Sequence, residues 1–326
     1  MPRSEEVAIR AGEIELAGTL TLPDGPPAPG ARGRFPNVVL LTSWLPRGRD
    51  GDFDRIGHAS WFATGPMPGG TGVLLERIAD ALASHGVASL RYDKRGCGAS
   101  GGEWATTDLF TLIDDARDAL GWVRSRSDLD LRRTGLMGHG EGASLAMSVA
   151  IGDPAVGALT LVGASARSWR DVLRRGVAER TRTSQDREEP LVAALDRFAE
   201  ELIERADRGE REMPLPLPDR QAVTLGLAAW EQAFRTPPLA LATMLHRSVG
   251  LVHGERDAWA DPDESRLLAA VLRDAGNQPS LRLVDDAGHD LAEAPDAVVD
   301  EIAADLAARL LPRELPPVLL AIEEMG

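Results

Sequence analysis

Residues 134–152 read TGLMGHGEGASLAMSVAIG, and this stretch decides the fold. Thr134 to Gly138 is a short run of strand character, and Glu141 to Ile151 is a helix of small and apolar residues. The junction is Gly138-His139-Gly140-Glu141-Gly142. Its outer glycines permit a sharp strand-to-helix turn and close packing of strand against helix. The middle residue of such a turn projects beside the helix N-terminus, where the helix dipole favours a developing anion. Here that residue is Gly140, which has no side chain to project.

Strand and helix alternate outward from this junction. Val7 to Leu20 forms two strands joined at Ala11-Gly12, and Asn37 to Thr42 is an apolar run suited to a strand buried on both faces. Leu74 to His85 is helical and ends at Gly86; Val87 to Tyr92 is a strand; Leu109 to Arg126 is an amphipathic helix; Val156 to Val162 is a strand. The alternation resumes with Ser248–His253 (strand), Asp263–Ala275 (helix), Ser280–Val284 (strand) and Ala294–Leu311 (helix). This pattern argues for an α/β fold with a doubly wound, mostly parallel sheet. Between them, Trp169–Arg182, Pro190–Arg208 and Ala222–Phe234 read as helices with no strand among them. The chain thus divides into a first core part (1–164), an inserted helical cap (165–246), a second core part (247–311) and a tail (312–326).

Composition removes several function classes. The net charge of −15 leaves no basic patch for nucleic acid. No stretch is apolar and long enough for a membrane span, and the charged start MPRSEEVAIR lacks the apolar middle of a secretion signal. The single cysteine, Cys97, forms no internal disulfide and suits a reducing, cytoplasmic setting. The histidines are scattered, so neither a metal site nor a cofactor is expected. The basic residues are almost all arginine, with Lys94 the only lysine. The tail patch Val318–Ile322 offers a homodimer contact or packs on the last helix.

Two further residues follow strands in the second core part. Asp257 lies in HGERD (253–257), with Asp261 as a rival, and His289 lies in DAGH (286–289). A carboxylate that holds an imidazole in one tautomer, leaving its other nitrogen free, can move protons. The loop RYDKRGCGAS (91–100) matches the pattern D-x-R-G-x-G-x-S, and Arg49-Asp50-Gly51 matches the end of an oxyanion-loop motif. On these motifs the chain resembles the α/β-hydrolase superfamily, close to its dienelactone-hydrolase-like and acyl-esterase branch. The resemblance implies that Gly138–Gly142 is the nucleophile elbow, with Gly140 at the nucleophile's position, Asp257 as the acid and His289 as the base. It also implies an oxyanion hole from the Glu141 N–H and the loop Ser43-Trp44-Leu45-Pro46, with His139 packed beneath the site.

The chain departs from that family's pattern at Gly140 and in the oxyanion loop, and the pair of departures favours natural loss of the nucleophile. The expected function is an enzyme working through a His289–Asp257 dyad on a small, largely apolar, carbonyl-bearing metabolite. It would eliminate a carboxylate such as acetate, cyclise or isomerise through an enolate, or activate water, with Gly140 leaving free space for the reacting carbon. Acetate-eliminating enzymes of tetronate polyketide biosynthesis share the fold, so natural-product biosynthesis is one setting. Alternatives are a serine esterase inactivated by a Ser→Gly change at 140, and a ligand-binding protein without turnover. Trp44, Trp61, Trp169, Trp230 and Trp259 are expected to border an apolar pocket. Ser43, Ser144 and Cys97 are the minor candidates for a substitute nucleophile.

Overall fold

A computed structural model describes residues 2–27, 33–43, 47–51, 73–183, 190–217, 220–257 and 259–312. Trp44, Leu45 and Pro46 of the expected oxyanion loop, Trp61 and the tail patch 318–322 lie outside the described residues. The described strands are β1 (Arg3–Ala11), β2 (Ile14–Leu22), β3 (Phe35–Leu41), β4 (Ala88–Tyr92), β5 (Leu129–His139), β6 (Val156–Val162), β7 (Glu212–Leu217), β8 (Arg220–Gly226), β9 (Ser248–Gly254) and β10 (Ser280–Val284). The helices are α1 (Leu74–Ser84), α2 (Leu109–Arg124), α3 (Glu141–Gly152), α4 (Trp169–Thr183) and α5 (Pro190–Asp207). They continue with α6 (Ala228–Arg235), α7 (Pro238–Ala242), α8 (Pro262–Asp274) and α9 (Asp296–Arg309).

Eight strands form one sheet in the order β1-β2-β4-β3-β5-β6-β9-β10. β2 pairs antiparallel with β1 and β4, and every other pairing is parallel. The central strands are buried on both faces because helices cover both. α2, α3 and α8 contribute to one core layer, α1 and α9 to the other. Local signals set the helix ends. Asp108 caps α2 by accepting from the Thr111 N–H at 2.8 Å, and Asp261 caps α8 by accepting from Asp263 at 2.8 Å, with Pro262 in the first turn. Among the described residues no helix is long and apolar enough to cross a membrane.

The cap segment corrects the sequence reading. It is not wholly helical, because β7 and β8 pair as an antiparallel ribbon, and the helix expected over 222–234 begins only at Ala228. Met213-Pro214-Leu215-Pro216-Leu217 alternates with period two, and a two-stranded ribbon tolerates proline because its outer edges need no N–H. Met213 and Leu225 are buried with Trp169, Leu202, Ile203 and Trp230 in a separate small core.

Candidate active site

The site is built where β3, β5, β9 and β10 end on one edge of the sheet, the usual crevice of an open α/β sheet. β5 runs directly into α3 through Gly140, whose φ of +56° and ψ of −113° lie in a region that L side chains rarely adopt. A Cβ on Gly142 would stand 2.3 Å from the Leu41 carbonyl oxygen and 2.7 Å from that of Thr42. Glycine at 142 therefore lets the end of β3 pass over the first turn of α3, which carries Ser43 to the elbow.

His289 follows β10 and is buried. Its Nδ1 lies 2.7 Å from Asp257 Oδ2. A carboxylate only accepts, so Nδ1 carries the hydrogen, and Nε2 of the neutral ring is the free acceptor. Asp257 is fixed in turn: its Oδ1 accepts from the N–H groups of Trp259 (2.8 Å) and Ala260 (2.9 Å). His253 Nε2 donates to the Ala260 carbonyl at 2.7 Å and lies 3.1 Å from Asp257 Oδ2, while its Nδ1 meets Ser265 Oγ at 2.7 Å. His139 lies beneath, with Nε2 donating to the His289 carbonyl at 3.0 Å and ring centroids 4.6 Å apart.

Electrostatics follow from this packing. Burial opposes the charge on Asp257, but the charge of His289 and hydrogen bonds from His253 and His289 hold its carboxyl well below the usual carboxylate range. Burial also disfavours the His289 cation, yet the Asp257 charge and hydrogen bond, with Asp290 behind them, raise it above an ordinary imidazole. His139 goes the other way: burial, then the charges of His289 and Arg47, keep it neutral.

The free space expected above Gly140 is not there, because Ser43 fills it. A Cβ on Gly140 would lie 2.1 Å from Ser43 Oγ, 3.1 Å from Ser43 Cβ and 3.0 Å from His289 Nε2. Ser43 Oγ itself sits 3.4 Å from His289 Nε2, and Ser43 is 2% exposed. Glu141 heads α3, but its side chain turns to Lys94, whose Nζ donates to Glu141 Oε2 at 2.6 Å and to the Ser43 carbonyl at 2.9 Å. All three residues are buried. The signal for Lys94 was present in the sequence as the one lysine in a chain whose other long basic side chains are arginine.

The remaining expected residues fall outside this centre. Asp261 is a helix cap, not the acid. The Asp93 carboxylate of the D-x-R-G-x-G-x-S loop grips Arg49 through bonds of 3.1 and 2.8 Å, which anchors the oxyanion loop. Cys97 is buried in that same loop. Trp169 and Trp230 belong to the cap core. A cleft between cap and sheet is lined by Lys94, Glu141, Trp104, Leu112, Leu225 and Trp230; Ser43 and His289 are not among its walls. Of the tryptophans expected to border the site, Trp259 gives its backbone N–H to Asp257 and Trp230 lines this cleft, while Trp44 and Trp61 lie outside the described residues. His139, His289 and Asp290 bring ligand-type atoms within 4.8 Å of one another, a grouping the sequence spacing did not show. Asp257 and Ser43 face the two nitrogens of His289 and the His289 carbonyl takes His139 Nε2, while His139 Nδ1 is buried without a hydrogen-bond partner among the described residues.

Residues 38–301 match the model of the alpha/beta hydrolase family, and the chain belongs to that family. Its fold is similar to that of DcsB in complex with a substrate analogue (15% identity, TM-score 0.63, 95% of this chain and 100% of that one). It is also similar to an esterase of Pyrococcus furiosus (15% identity, TM-score 0.63, 95% and 92%). A third similar structure is Est1E of Butyrivibrio proteoclasticus with ferulic acid bound (15% identity, TM-score 0.61, 93% and 98%). No curated protein matches the sequence.

Proposed function

We propose that this enzyme is hydrolase-like and acts on a small, largely apolar, carbonyl-bearing molecule, with His289 taking a proton from a hydroxyl that attacks the carbonyl. One observation carries this reading: the buried His289–Asp257 pair, at 2.7 Å, leaves Nε2 aimed at a hydroxyl beside the elbow. Such a base contributes about 10²–10⁴-fold to rate. Similar folds in the Pyrococcus furiosus esterase and in Est1E with ferulic acid support an ester or related acyl carbonyl as the substrate class. The acyl-esterase branch is the nearer part of the family on the sequence motifs. The dyad's alignment speaks against a binding protein without turnover, and the crowding of Ser43 against position 140 speaks for glycine as the native residue there.

A second reading is elimination of a carboxylate such as acetate, with His289 removing a proton from carbon, as in the making of tetronate-type natural products. It is favoured by the missing elbow side chain alone. The test compares the wild type with His289→Ala on activated aryl esters, on thioesters and on β-acetoxy ketones, following acid release and enone absorbance separately. The expected result is ester or thioester turnover that falls by about 10²–10⁴ in the variant. Enone formation without ester turnover selects elimination, and no histidine-dependent turnover on any of the three contradicts the proposal.

A further inference from the structure

The geometry points to Ser43 as the nucleophile of this enzyme: its hydroxyl, supplied from the end of β3, stands in for the side chain that Gly140 lacks. The inference rests on His289 acting as the base, and it names the hydroxyl that His289 activates.

Three observations converge on Ser43. Its Oγ lies 2.1 Å from where a Cβ of residue 140 would be, so it occupies the volume of an elbow side chain. It faces the one nitrogen of His289 that can accept, at 3.4 Å, a separation that shortens on substrate binding in many unliganded sites. Its backbone is held from behind, because Lys94 Nζ binds the Ser43 carbonyl at 2.9 Å and Glu141 at the head of α3 at 2.6 Å. The Glu141 and Gly142 N–H groups open α3 and have no acceptor within their own helix, and the proposal assigns them to the oxyanion.

The step balances without a co-reactant other than water. Ser43 Oγ forms a bond to the substrate's carbonyl carbon as its proton passes to His289 Nε2. The tetrahedral intermediate collapses, the bond from carbon to the leaving oxygen or sulfur breaks, and His289 returns the proton to the leaving group. Water then attacks the acyl-Ser43 ester, gives its proton to His289, and the acid departs as Oγ recovers that proton.

The test is covalent labelling of the full chain with a fluorophosphonate, followed by trypsin and mass spectrometry. Ser43 is the only serine of the tryptic peptide Phe35–Arg47, FPNVVLLTSWLPR. The expected result is one label on that peptide, lost in Ser43→Ala and in His289→Ala, with ester turnover in Ser43→Ala reduced at least about a thousandfold. Circular dichroism confirms that each variant is folded. Ser43→Cys gives a second reading, with iodoacetamide alkylation faster than in Ser43→Cys/His289→Ala by at least about tenfold. Label on another residue, or a folded Ser43→Ala that keeps turnover, overturns the inference. If His289→Ala still loses turnover in that case, the base stands and only the nucleophile falls; if neither variant loses it, both fall.

Discussion

Two buried polar groups meet at Ser43 from opposite sides, and they differ in what they hold. His289 and Asp257 address its hydroxyl; Lys94 and Glu141 address its carbonyl and the helix beneath. The first group ends in a free acceptor nitrogen, so it can exchange a proton. The second is closed, a cation and an anion satisfied by each other and by a backbone oxygen, so it sets position. The comparison teaches that burial and charge do not by themselves mark chemistry; an unspent lone pair does.

The largest expected effect breaks the first group. Asp257→Asn should reduce turnover about 10³–10⁴-fold, because the amide no longer enforces the Nδ1–H tautomer, while the melting temperature changes far less than the rate. Breaking the second group should show the reverse balance. Lys94→Met leaves Glu141 buried and unpaired, a loss of about 3–5 kcal/mol in denaturant unfolding, and Lys94→Met/Glu141→Leu should recover much of it. In that double variant kcat should fall with KM little changed, since the Ser43 carbonyl has lost its clamp.

A smaller effect is expected where the groups touch. Gly140→Ala places a Cβ at a φ of +56° and against Ser43 Oγ. The strain is about 1–3 kcal/mol, and displacement of the hydroxyl should lower the labelling rate about a hundredfold. The smallest effect is on pH. His289 must be unprotonated to accept, and its proton affinity is raised, so kcat/KM should rise with pH through a midpoint above the ordinary imidazole range. Removing the charge in Asp257→Asn should move the midpoint of the residual activity down; an unmoved midpoint would assign the titration to another group.

Much of the sheet was legible from the sequence, because its cause is local. Apolar runs at β3 and β6, the glycines around Gly140, and Gly86 after α1 each act through their own backbone. The order of Asp257 and His289 after their strands was enough to pair them. The cap was less legible, since Val223 and Thr224 stand beside helix-forming residues and only pairing with β7 settles their state. Ser43 was harder still. Its partner is 246 residues away, and nothing local to TSW says that the strand end crosses over α3. That crossing depends on Gly142 giving up a Cβ to the carbonyls of Leu41 and Thr42, a close approach visible only in three dimensions.

The most direct test of this account moves the hydroxyl from one side of the elbow to the other. Ser43→Ala should abolish fluorophosphonate labelling, and Gly140→Ser in the Ser43→Ala background should restore it, with the label now on residue 140. Ser43→Ala removes the oxygen that crowds position 140, and the same His289 Nε2 is expected to serve either serine. Label regained at 140 shows that the two positions supply one hydroxyl to one base. A folded double variant that stays unlabelled contradicts the account, because the base and the anion-binding turn would then not form a working site around that hydroxyl.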